Sequence, residues 1–224
     1  MHRFAAIPVA LWISIAGARG QTPQNGESPT AVSELLQDPA ADDEPIWSFS
    51  ASVYTYFVPD DRDYVVPTIT ADRDWLHLEL RYNYEGLDTV SFWAGYNFSV
   101  GSEWTLEFTP MLGGVFGDTD GVAPGYKGSL GWRQFELYSE GEYLIDANDA
   151  SSSYFYSWTE LTFAPVDSFR FGLVAQRTKL YDSDREIQRG LLAGYSGESW
   201  DLTGQLFDPD EPKPTFVLAF AVSF

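Results

Sequence analysis

The chain has 224 residues, no cysteine and a formal net charge of −20. That length suits one domain. The missing cysteine excludes disulfides, thiolate metal sites and a lipidated N-terminal cysteine, and the acidic balance argues against a nucleic-acid phosphate backbone as partner. Aromatic residues make up 17% of the chain, more than a core alone needs, so some rings must face something else.

Residues 1–20 differ from the rest. Arg3 gives a short basic start, Phe4 to Ala18 is an apolar run, and Ala16-Gly17-Ala18-Arg19-Gly20 ends it with small residues. This is the layout of a cleaved secretory signal peptide, and the run is too short to span a bilayer as a helix. Residues 21–46 are polar, acidic and proline-bearing, and read as a flexible periplasmic linker. Ser28-Pro29 is placed to start a short helix through Ala31, Val32, Leu35 and Leu36, and a tail is favoured over a lumen plug.

From Trp47 to Phe224 period two dominates. In Asp74–Glu85, Leu76, Leu78, Leu80, Tyr82 and Tyr84 share one face, while Trp75, His77, Glu79, Arg81 and Asn83 share the other. In Thr89–Val100, Val90, Phe92, Ala94, Tyr96 and Phe98 oppose Thr89, Ser91, Trp93, Gly95, Asn97 and Ser99. About twelve such segments are predicted, over 47–58, 65–72, 74–85, 88–100, 103–115, 123–132, 134–145, 153–164, 168–180, 187–197, 199–207 and 214–224. Tight breaks such as Gly101-Ser102 and Trp132-Arg133 alternate with mostly longer acidic ones such as Pro59–Asp63 and Gly117–Pro124. Short turns alternating with loops predict an all-β, up-and-down antiparallel barrel over 47–224.

Period alone does not say which face points inward. A soluble barrel buries its apolar face, whereas a membrane barrel turns that face to lipid and encloses the polar one. Three features favour the membrane version. With the N-terminus in the periplasm, Phe98, Trp104, Phe135, Phe163, Phe169, Tyr195, Trp200 and Phe224 fall near the short-turn end, as an aromatic girdle requires, with Tyr84, Tyr143, Phe155 and Phe216 at the loop end. Whole charges (Glu79, Arg81, Glu107, Glu140 and Glu160) stand in mid-strand on the polar face. The last ten residues alternate Phe216, Leu218, Phe220, Val222 and Phe224 with small residues. That ending resembles the closing strand of Gram-negative outer-membrane β-barrel proteins. The resemblance covers those ten residues and, more loosely, the meander from Trp47. It implies an outer-membrane address, assembly by the barrel-assembly machinery with Phe224 as its signal, and a barrel surrounded by lipid and lipopolysaccharide.

No catalytic site is expected. His77 is the sole histidine beyond the signal segment, it falls near a periplasmic turn, and no nucleophile motif accompanies it. The rim acids Asp60, Asp61, Asp63, Asp118, Asp120, Asp182 and Asp184 have no histidine among them. Asp118-Thr119-Asp120-Gly121 lacks the later ligands of a calcium loop, so no metal site or cofactor is assigned, only weak divalent-cation contacts at acidic loops. The inward carboxylates carry the main expectation. Glu79, Arg81, Glu107, Glu136, Glu140, Glu142, Glu160 and Arg170 are predicted to form an ionic network in the lumen, with Glu140, Glu160 and Arg170 in one part of it. Trp75, Trp93, Tyr138, Tyr156 and Trp158, with Tyr54 and Tyr56, are predicted to narrow the lumen further. The functional expectation is a passive, narrow, cation-preferring channel or a structural barrel. Its alternatives are a barrel-anchored surface-binding protein and, lower, an outer-membrane hydrolase.

Overall fold

In a computed structural model the described residues are 46–180 and 186–224. The expected signal peptide and nearly all of the linker lie outside them, as do Asp182 and Asp184. Twelve antiparallel strands follow in order: β1 (Ser48–Phe57), β2 (Tyr64–Arg73), β3 (Leu76–Tyr82), β4 in two pieces (Thr89–Tyr96 and Phe98–Gly101), β5 (Trp104–Gly117), β6 (Gly121–Trp132), β7 (Phe135–Asp146), β8 (Tyr154–Val166), β9 (Phe169–Leu180), β10 (Glu186–Ser196), β11 (Trp200–Phe207) and β12 (Thr215–Ser223). Both pieces of β4 pair with β5, so Asn97 is an irregularity inside one strand.

Each strand pairs with its sequence neighbour, and β12 returns to β1 in a register running from Ser50↔Ser223 to Phe57↔Phe216. Phe49 and Phe224 then exchange two backbone hydrogen bonds of 2.9 Å. The sheet is a closed up-and-down barrel without a free edge, the condition for β-structure in lipid. Short turns gather at one end and the loops at the other. Gly101 is obligatory in one turn, because its φ is +129° and an added Cβ would lie 1.7 Å from the Trp104 carbonyl oxygen.

Burial shows which face points in. Leu80, Phe92, Leu112, Leu161 and Leu173 are 46–61% exposed on the outside, whereas Glu79, Arg81, Glu140 and Glu160 are 1–2% exposed inside. The barrel is therefore inside-out, with an apolar exterior and a polar interior. Outward rings belt the short-turn end. Trp104 stacks on Trp132 at 5.1 Å, Phe135 lies 5.0 Å from Phe163, Tyr195 lies 5.7 Å from Trp200, and Phe49 lies 6.1 Å from Phe224. Phe98 and Phe169 are exposed in the same belt.

Two aromatics depart from the simple alternation. Trp75, expected in the lumen, sits outside in the belt, 50% exposed and stacked on Tyr96 at 5.3 Å. It belongs to the β2–β3 turn, whose Asp74 has φ +54°, so the phase of β3 does not extend back to it. Tyr84, expected outside, is buried in the lumen. β3 ends at Tyr82 and Asn83 takes φ +59°, which turns the next residues inward.

Candidate functional site

The middle of the lumen is filled by side chains. Glu79 and Arg81 project from β3, Glu140 and Glu142 from β7, and Trp158 and Glu160 from β8, because residues two apart on a strand share a face. The Asn83–Asp88 connection adds Tyr84 and Glu85, 2% and 0% exposed. Its backbone is held inward by the Tyr154 hydroxyl, which donates to the Glu85 carbonyl at 2.7 Å. Asn83 anchors the base, donating through its side chain to the Val65 carbonyl and accepting from the Asp88 N–H.

Arg81 is the hub. Its Nε donates to Glu79 Oε1 at 2.6 Å and its Nη1 to Glu142 Oε2 at 3.0 Å, with Glu85 Oε1 at 3.6 Å from the same nitrogen. Its guanidinium carbon lies 3.9 Å from the Tyr84 ring centre and 4.4 Å from that of Trp93, a cation–π sandwich. Glycines make this reach across the lumen possible. A Cβ on Gly113 would come within 2.4 Å of the Trp93 ring, and one on Gly125 within 3.0 Å, so both positions leave the indole room to lie against the wall.

A second cation, Lys127 on β6, lies 2.5 Å from Glu79 Oε2 and 3.9 Å from Glu140 Oε2. Glu140 also accepts from Tyr138 at 2.7 Å and Tyr84 at 3.2 Å. His77 Nδ1 meets Asp72 Oδ1 at 2.7 Å and its Nε2 meets Glu79 Oε2 at 3.1 Å. Asn97 holds Asp72 from the other side at 2.8 Å and accepts from Thr109. Both imidazole nitrogens thus face carboxylates.

The eight predicted ionic residues do not form one network. Glu79, Arg81, Glu140 and Glu142 come together. Glu160 accepts instead from neutral donors, Trp158 Nε1 and Gln205 Nε2, both at 3.0 Å. Arg170 forms no ion pair with Glu160 and grips Asp201 with two bonds of 2.5 and 2.9 Å, adding Ser196 and Thr203. Its register partner Gly194 supplies the space, since a Cβ there would lie 2.7 Å from the guanidinium carbon. Glu107 and Glu136 make no ion pair among the described residues. They line a cavity of about 450 Å³ at the short-turn end, with Ser50, Asp72, His77, Lys127 and Tyr138. Trp93, Tyr138, Tyr156 and Trp158, with Tyr54 and Tyr56, all stand in the lumen at 5% exposure or less.

Sequence reasoning missed Lys127, Asp201, Glu85 and the inward Tyr84. Lys127 was legible: Ala123, Gly125, Lys127, Ser129 and Gly131 form the small, polar face of β6. Glu85 was not, because it belongs to a loop. Among the described residues no three Asp, Glu or His side chains converge to hold a metal ion.

Solved structures of the same architecture exist. The KdgM porin matches with a TM-score of 0.58 at 10% identity, over 78% of this chain and 99% of its own. This chain has a porin-like barrel fold. The KdgM porin in complex with disordered oligogalacturonate matches with a TM-score of 0.53 at 10% identity, over 79% of this chain and 99% of its own. Omp33 of Acinetobacter baumannii matches at 0.48 and 9% identity, over 80% of this chain and 98% of its own. No protein-family model matches the sequence, and no curated protein matches it.

Proposed function

We propose that this is an integral barrel of a Gram-negative outer membrane, exported by cleavage of residues 1–20, whose narrow interior admits cations in preference to anions when it conducts. The observation that carries this reading is the inside-out barrel with an acid-rich interior. Among the described residues, inward carboxyls from Asp72, Glu79, Glu85, Glu107, Glu136, Glu140, Glu142, Glu160 and Asp201 outnumber the inward cations Arg81, Lys127 and Arg170. A field of one sign in a low-dielectric bore concentrates counter-ions and repels like charge. An oligogalacturonate, the ligand of one structural neighbour, is a polyanion and is not the solute class this interior suits.

The packed mid-lumen supports a barrel that is shut in this conformation, so resting conductance should be low. Reconstituted protein in a planar bilayer under a salt gradient tests the selectivity, and a reversal potential of the anion-selective sign refutes it. Cell fractionation with heat-modifiable gel migration tests the membrane address; recovery in a soluble fraction refutes that. The acidic loops are proposed as weak divalent-cation contacts bridging to lipopolysaccharide phosphates, and a calorimetric titration without binding heat ends that part.

The surface-binding alternative has less support. The loop acids satisfy their own turns: Asp63 accepts from the Val58 N–H and Asp120 from the Gly117 N–H. Asp60 pairs with Lys213, and Asp210 with Arg189. A hydrolase role for His77 would need one imidazole nitrogen freed from its carboxylate.

A further inference from the structure

The mid-lumen carries more carboxyl groups than its cations can neutralise. Glu79, Glu85, Glu140 and Glu142 are all at most 4% exposed, and among the described residues the fixed cations between them are Arg81 and Lys127. His77 does not change this balance, because its protonation is matched by Asp72 on its other nitrogen. Four ionised carboxyls against two cations would leave two uncompensated charges in a site closed to water, an arrangement that proteins avoid by holding protons instead.

The hydrogen bonds indicate where a proton belongs. Glu79 meets Arg81, Lys127 and His77, and is the fully ionised member. Glu140 has two tyrosine hydroxyls and Lys127. Glu85 and Glu142, by contrast, converge on the single Nη1 of Arg81. Glu85 Oε1 accepts from Ser91 at 2.5 Å and Trp93 at 3.1 Å, but its buried Oε2 has no hydrogen-bond partner, so a full negative charge on this carboxyl would be poorly solvated. Burial pushes the Glu85 carboxyl above its ordinary value, against the nearby Arg81 charge. The remaining ionisable groups packed here, Tyr84, Tyr154 and Tyr156, supply neutral hydroxyls.

Glu85 is also the one carboxyl of this cluster that is not on a strand. It sits at the inward tip of the Asn83–Asp88 loop, whose two ends, Asn83 and Asp88, have φ of +59° and +57°. The loop lies outside the β-ladder, so its withdrawal from the lumen would take Tyr84 and one side of the Arg81 sandwich with it.

We propose that the Asn83–Asp88 loop is a proton-held latch, keeping the lumen shut while Glu85 and Glu142 hold a proton between them and releasing when that proton is lost. In the step one carboxyl O–H bond breaks and the proton passes to water. Two carboxylates then share one guanidinium NH2 group and a single positive charge and repel, and Glu85 regains solvation outside. The sign follows from linkage. The latched state binds the extra proton, so raising the pH favours the open state, by up to about tenfold per pH unit for each proton released. The window begins above the ordinary glutamate value of about 4.3 and ends where the latched pair itself titrates.

The latch rests on the membrane-barrel reading, and the test separates the two. Full-length protein is reconstituted in planar bilayers and its conductance recorded from about pH 5 to about pH 9, bracketing the window above the ordinary carboxylate value. The expected result is low conductance at the acid end, rising steeply with pH. E85Q and E142Q, which keep the shape but remove the titration, should stay shut throughout. Infrared spectra near neutral pH should show a protonated-carboxyl carbonyl band that either variant weakens. Protein that inserts and migrates as a heat-modifiable barrel, yet conducts equally at both pH limits, overturns the latch alone. An E85Q variant with the wild-type pH slope also overturns it. Protein that does not insert overturns the membrane reading and the latch together.

Discussion

Arg81 and Arg170 are both inward guanidiniums of one barrel, yet their surroundings differ in kind. Arg170 meets one carboxylate, Asp201, in a two-point grip finished by Ser196 and Thr203. Its side chain reaches the short-turn side, where burial is incomplete, and charge is balanced one to one. Arg81 meets Glu79, Glu142 and, at longer range, Glu85, between two aromatic rings and nearly closed to solvent. A balanced pair needs nothing further and can serve as a strut between β9 and β11. An unbalanced cluster in a dry layer has to recruit protons, so its shape becomes dependent on pH.

The contrast can be broken most forcefully at its hub. Arg81→Leu leaves three buried carboxyls facing one another, and a loss of about 3–5 kcal/mol is expected from removing one partner of a buried ionic cluster. Unfolding in detergent by urea, read as heat-modifiable migration, would measure it; a loss below about 1 kcal/mol would equate Arg81 with a surface ion pair. Arg170→Leu should cost less, about 1.5–3 kcal/mol, the range for hydrogen bonds to charged groups. Adding Asp201→Leu should recover much of that loss, since replacing both partners removes the stranded charge. A double variant less stable than the single would show that the pair is not self-contained.

Gly113→Val sharpens the comparison through sterics. Its Cβ would intrude to 2.4 Å from the Trp93 ring and push the indole into the Arg81 sandwich. About 1–3 kcal/mol of destabilisation is expected from overpacking, with altered Trp fluorescence as a second readout. The smallest effect belongs to Lys213→Ala. Its pair with Asp60 links two loops but both side chains are at least 65% exposed, and no change beyond about 0.5 kcal/mol is expected in the same urea series.

Much of this architecture was legible locally. The alternation of Leu76, Leu78 and Leu80 with His77, Glu79 and Arg81 marks a two-faced strand wherever it is placed, because side chains on a strand alternate by backbone geometry. The same reading located all twelve strands to within a few residues and assigned Trp93, Trp158, Glu140 and Glu142 to the inner face. It failed where the chain leaves the strand. Trp75 and Tyr84 each adjoin a residue with positive φ, and there the period-two phase no longer applies.

By itself, then, the sequence determined an all-β barrel, the faces of its strands and an interior richer in acids than bases, all of which depend on each residue and its near neighbours. The tertiary structure alone decided which charges meet. Arg81 reaches Glu142 across 61 residues of chain, Arg170 finds Asp201 rather than Glu160, and Glu85 enters the lumen from a loop. Those choices depend on closure of the sheet, on its register and on the room left at Gly113, Gly125 and Gly194, and no local pattern encodes them. The charged interior inferred at the outset thus resolves into a balanced strut and a crowded, acid-rich latch.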